Sequence, residues 1–104
     1  MAQAAGILEV YGLVAAFVAG DAGCKAANVT LEPFDRNKPG HPETLKVPLL
    51  VVVKFRGSVS EVTAAVEAAE KAANTVSGVV CKYIIPNPEE GTNKMLHLNG
   101  LDKS

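Results

Sequence analysis

Tryptophan is absent from this chain, and aromatic residues make up only 5% of its 104 positions. No cluster of large rings is therefore available to anchor a core. Cysteine is scarce as well. Cys24 and Cys81 sit in apolar contexts without metal-ligand spacing, and both are expected to be reduced, buried thiols. Charge of one sign is missing: 10 basic residues face 11 acidic ones, for a formal net charge of -1. With no Lys/Arg cluster and no basic stripe interleaved with aromatics, nucleic acid is excluded as a partner. The longest apolar run, 47–53, is interrupted by Pro48 and far too short to span a bilayer, so no membrane role is expected. The opening Met-Ala-Gln-Ala-Ala-Gly lacks the basic residues and long apolar run of a signal peptide, which points to the cytoplasm. Enzyme signatures are missing too: no phosphate-binding Gly-rich loop, no HExxH, no CxxC pair and no nucleophile elbow. Glu9, Glu61, Glu67 and Glu70 have no partner that would tune them for acid/base work. Neither an enzymatic activity nor a cofactor is expected.

What is present is alanine and valine. Hydrophobic residues reach 48% almost without rings, so the core must come from close backbone approach. That composition suits a subunit that buries further flat surface against copies of itself. The length fits one domain. Residues 7–11 alternate Ile7, Glu9 and Tyr11 against Leu8 and Val10, the pattern of a half-buried strand. After Gly12 the period becomes helical over 13–27, despite Gly20 and Gly23, each worth about 1 kcal/mol of lost helix stability relative to Ala. Close packing on a sheet or a neighbouring helix is expected to compensate. Residues 29–34 read as a second strand and 49–55 as a third, apolar on both faces in its middle and charged only near its end, at Lys54 and Arg56. Ser58-Val59-Ser60-Glu61 fits a capping box, and Val59, Val62, Val66, Ala69 and Ala73 form the apolar stripe of the helix it opens. Residues 79–85 read as a last strand. Pro86-Asn87-Pro88 is a rigid exit, followed by a short helix over 89–98. The expected fold is α/β (α+β): a ferredoxin-like βαββαβ unit, a four-stranded antiparallel sheet with two helices on one face and a short C-terminal helix.

Residues 35–46 are polar, hold Pro39, Gly40 and Pro42, and show no period, so they read as a loop. It is longer than the roughly 2–5 residues a hairpin needs, which marks it as functional or mobile.

Four segments resemble one known family. Ala5-Gly6-Ile7-Leu8-Glu9-Val10-Tyr11-Gly12-Leu13-Val14-Ala15-Ala16 resembles the opening of the bacterial microcompartment shell domain. Cys24-Lys25-Ala26-Ala27-Asn28-Val29-Thr30-Leu31 looks like that family's helix exit. Arg56-Gly57 before an Ala-rich helix, and Tyr83-Ile84-Ile85-Pro86 before a short tail, stand in register with the same domain. The resemblance covers roughly 4–88 and implies a shell domain over 1–88 with a C-terminal tail at 89–104. It further implies a flat hexamer that tiles with other shell proteins around encapsulated enzymes. In such a hexamer the loop between the second and third strands lines a central pore for small polar metabolites. The implied pore residues are Arg36, Asn37, Lys38, Pro39, Gly40, His41, Pro42 and Glu43; the implied hexamer-edge residues are Lys25, Asn28 and Asn87. Two departures stand out. Asn87 occupies the place where relatives often carry an edge arginine. The loop resembles the Pro/Gly-containing loops of shell proteins from glycyl-radical-enzyme compartments, but it lacks the Cys that in some of them holds an iron–sulfur cluster.

On a sixfold axis one side chain becomes a ring of copies. His41 is then a candidate for binding a divalent metal or an anionic metabolite; otherwise it is a solvated loop residue between turn formers. Arg36, Lys38 and Glu43 would set the sign of the pore field. A different reading of the same topology is a small ligand-binding regulator, a dimer or trimer with 35–46 as its sensing loop.

Overall fold

The computed structural model describes residues 3–37 and 49–98. The order is β1 (Ala4–Tyr11), α1 (Leu13–Ala26), β2 (Thr30–Leu31), β3 (Asp35–Asn37), β4 (Leu50–Gly57), α2 (Val59–Asn74), β5 (Val79–Ile85) and α3 (Glu90–Leu96). β1 lies between β4 and β5, antiparallel to both, and β2 and β3 pair with the far side of β4. The expected βαββαβ arrangement is thus present, with α3 added at the end.

The second strand differs from the reading of 29–34. Thr30 pairs with Arg56 and Leu31 with Phe55, whereas Asp35 pairs with Val52, so the register slips by one residue between β2 and β3. The slip falls at Pro33, which has no N–H to donate to the ladder. The polar stretch read as a loop from residue 35 accordingly begins as strand, because Asp35–Asn37 resumes the pairing on β4.

Alternation decides the two faces of the sheet. Leu8 and Val10 on β1, with Val51, Val53 and Phe55 on β4, point to the side covered by α1 and α2 and form the core with Ala16, Ala19, Val62, Ala65 and Ala69. The alanine-rich helices approach the sheet closely. A Cβ on Gly23 would sit 2.4 Å from the ring of Phe55 and 3.1 Å from the Ala65 carbonyl oxygen. This close approach is the compensation expected for glycine inside α1. Gly12 turns the chain from β1 into α1 at φ 89, a region that favours glycine.

The α2 stripe is as read at Val62, Val66, Ala69 and Ala73, but Val59 is exposed and Ala65 takes its place. Val59 opens the helix next to Gly57, at the last residue of β4. The Ser58 Oγ accepts the Glu61 N–H at 3.2 Å, as a capping box requires. The Glu61 carboxylate, however, accepts the Asn28 N–H, which fastens the exit of α1 to the start of α2.

Both cysteines are exposed, contrary to their apolar sequence neighbourhoods. Cys24 lies on α1 away from the sheet core. Cys81 faces Glu9 across the β1–β5 pair on the side away from α1 and α2, its Sγ 3.8 Å from Glu9 Oε1.

Candidate functional site

The described residues of the expected sites fall at opposite ends of the sheet. At one end, Asn37 pairs with Leu50, which also faces Tyr11 across the β1–β4 ladder. The chain between Asn37 and Leu50 therefore leaves and re-enters the fold there. Arg36, opposite Val51, is exposed at that end. Lys38, Pro39, Gly40, His41, Pro42 and Glu43 lie outside the described residues, as does the metal-binding question raised for His41. Among the described residues no group of three or more His, Cys, Asp or Glu side chains could hold a metal ion.

The other end gathers the three expected edge residues. Ala4 pairs with Gly57 and Ala5 with Ile85, so the start of β1 and the ends of β4 and β5 meet there. Asn87, exposed between its prolines, follows β5 by two residues. Asn28 is exposed beside Gly57, whose Cβ, if present, would meet the Asn28 carbonyl oxygen at 3.3 Å. Lys25 stands in the last turn of α1, where a cation complements the helix carbonyls. Its Nζ lies 2.7 Å from Asp21 Oδ2, one turn back, and its side chain is 76% exposed. The hydrogen bond to Asp21, reinforced by the carboxylate charge, raises the Lys25 pKa above its ordinary value. Lys25 is thus an exposed cation oriented by its own helix.

A cluster that periodicity did not foretell occupies the face opposite α1 and α2. Lys54 and Arg56, read as charges at a strand end, are 2% and 6% exposed. Lys54 Nζ donates to Asp35 Oδ2 at 2.8 Å and to the Leu98 carbonyl at 3.0 Å. Arg56 Nη2 donates to the Gln3 carbonyl at 3.0 Å and to Asn93 Oδ1 at 2.5 Å. Its Nη1 lies 4.0 Å from Glu32 Oε2, within ion-pair range, and that oxygen is 2.6 Å from His97 Nδ1. The Arg56 Nε and Nη1 are buried without a hydrogen-bond partner among the described residues. These bonds pin α3 across the sheet opposite α1 and α2. The signal in the sequence was the placement of Lys54 and Arg56 at alternate positions of β4 with Glu32 and Asp35 on the neighbouring strand line.

Comparison with known proteins decides the family. The chain matches the BMC domain over residues 4–88. It is 37% identical over 94 residues to the bacterial microcompartment shell protein PduA of Citrobacter freundii, which spans 90% of this chain and 91% of that protein. The chain belongs to the BMC-domain family. Another BMC relative, the carboxysome shell protein CcmK2 of Synechocystis sp., is 38% identical over 98 residues, 92% of this chain and 86% of its own length. A solved microcompartments protein from Desulfitobacterium hafniense superposes with a TM-score of 0.66 at 26% identity, covering 86% of this chain. This chain spans 44% of that structure's chain, less than half. BMC-domain proteins are structural shell proteins rather than enzymes, in accord with the missing catalytic motifs. No helix among the described residues is long and apolar enough to cross a membrane.

Proposed function

We propose that this BMC-domain chain is a cytoplasmic shell subunit that closes into a hexamer, with the chain between β3 and β4 around the axis and Lys25, Asn28 and Asn87 at the rim. The placement of the two sets at opposite ends of the strands carries the reading. If the strands run radially, one end of every subunit meets the axis and the other meets the next tile. The described residues extend 43 × 31 × 18 Å, the proportions of a slab. Arg36 to Glu43 would then line a pore for small polar metabolites, the shell would enclose enzymes, and other shell proteins would complete the facets. Assignment to the glycyl-radical type rests on the composition of 36–43 alone.

Solution mass tests the ring: a hexamer by light scattering supports it, and a monomer, dimer or trimer overturns it. Lys25→Ala tests the rim. The wild type is expected to form extended sheets under the electron microscope, and the variant to keep the wild-type solution mass while losing them; sheets in both alike overturn the edge role of Lys25.

A further inference from the structure

We infer that α3, His97 and Leu98 together clamp the broken edge strand, holding β3 and with it Arg36 in position. The part Arg36 plays at a pore rests on the ring reading, whereas the clamp is a contact within one subunit.

The edge strand is poorly equipped to hold itself. Pro33 divides it into β2, of two residues, and β3, of three, at or below the short end of strand lengths. Among the described residues both pair only with β4, so one short ladder is all the backbone offers them. Thr30, Leu31 and Arg36 are exposed. A short ladder open to solvent is the kind of segment that opens locally.

The tail supplies ties on both sides of the break. Before Pro33, His97 Nδ1 lies 2.6 Å from Glu32 Oε2. After it, Lys54 Nζ donates both to the Leu98 carbonyl at 3.0 Å and to Asp35 Oδ2 at 2.8 Å. Consecutive residues of the tail thus reach the two carboxylates that flank Pro33 and Phe34, one directly and one through Lys54. Water is kept out of these ties: Lys54 is 2% exposed and Glu32 8%. A charge pair shielded from solvent is stronger than the same pair on an open surface. Leu96, 6% exposed, seats the tail on the sheet. Lifting the tail removes the tie at Glu32 and opens the Lys54–Asp35 pair to water. Asp35 is the first residue of β3, and Arg36 follows it opposite Val51, so a loosened Asp35 frees Arg36 as well. His97 and Lys54 are positioning residues for Arg36 in this arrangement.

Amide exchange in the full-length protein tests the clamp, with β1, the strand between β4 and β5, as the reference for global opening. In Leu96→Ala, which loosens the tail and leaves the edge-strand residues unaltered, exchange of Asp35–Asn37 is expected to accelerate about tenfold relative to β1, the effect of one hydrogen bond to a charged group. His97→Ala is expected to shift it in the same direction. His97→Asn, which returns an N–H donor near the place of Nδ1, is expected to bring back the wild-type rate. Lys94→Ala alters a tail side chain that is 78% exposed and is expected to change nothing at the edge strand. The clamp is overturned if the edge strand keeps the wild-type rate in Leu96→Ala and His97→Ala, whether or not α3 itself opens. It is equally overturned if edge strand and β1 accelerate together, if His97→Asn exchanges like His97→Ala, or if Lys94→Ala loosens the strand as much. Solution mass is a separate measurement, so a wild type that is not hexameric overturns the ring and leaves the clamp standing.

Discussion

Lys54 shows how one residue can contradict its neighbourhood. It is flanked by Val53 and Phe55, both in the core, and its own side chain points the other way, onto the face crossed by α3. Burial of a lysine is tolerable only because Asp35 supplies a countercharge and Leu98 an acceptor. Lys54→Ala removes the charged donor of both hydrogen bonds, and its loss is expected to cost about 1.5–3 kcal/mol. Urea unfolding of the two proteins measures it. The cysteines behave differently. Partial burial, followed by the charge of Asp21, raises the Cys24 pKa. For Cys81 the causes are partial burial, the charge of Glu9 and the hydrogen bond to Glu9. A raised thiol pKa means the fold favours the neutral form. Its contribution to stability is complete below the unfolded thiol pKa and is lost as pH rises through the higher folded value. Thiolate is the reactive species, so alkylation of both cysteines is expected to be slower at neutral pH than that of an unstructured peptide thiol. Its rate profile should be displaced to higher pH.

Elements in this fold meet through small residues on one face and charge pairs on the other. The close approach of α1 to β4 and α2 depends on Gly23. Adding a methyl there would gain about 1 kcal/mol of helix propensity. The methyl would also clash with a Phe55 ring that is fully buried, and overpacking costs about 1–3 kcal/mol. Gly23→Ala is therefore expected to lower stability by about 1 kcal/mol, a fall of roughly 4–8 °C in Tm for a domain of this size. On the opposite face, α3 has only seven residues, too few to hold a helix by propensity. Asn93, bonded to Arg56, and Leu96, buried, attach it. Asn93→Ala removes a hydrogen bond to a charged group, worth about 1.5–3 kcal/mol. Amide exchange is expected to accelerate in α3 while staying unchanged in β1 and β4, the signature of local opening.

At the scale of the molecule, one slab has two ends and two margins with different chemistry. The ends carry Lys25, Asn28 and Asn87 at one side and the end of β3 with the start of β4 at the other; the margins carry an aromatic groove and the outer edge of β5. On the proposed rim, an asparagine at 87 in place of an arginine would have one charged contact fewer to offer a neighbour. Asn87→Arg is accordingly expected to form sheets at lower protein concentration than wild type, with no change in solution mass. Equal sheet thresholds would show that residue 87 does not take part in the lattice.

Local pattern alone determined the order of strands and helices, the inward face of β1 at Leu8 and Val10, the Ser58 cap and the family run around Lys25. These depend on residues a few positions apart, whose spacing repeats with the backbone period. Tertiary structure alone decided that Pro33 divides the edge strand, that the two cysteines stay exposed, and that Lys54 and Arg56 are buried. The partners of those two cations lie far away in the chain: Leu98 is 44 residues from Lys54, and Asn93 is 37 from Arg56. A charged residue on a strand is equally compatible with solvent or with a buried pair until α3 folds back across it. Cross-strand register and the return of the tail settle the choice, and neither has a period that can be read along the chain.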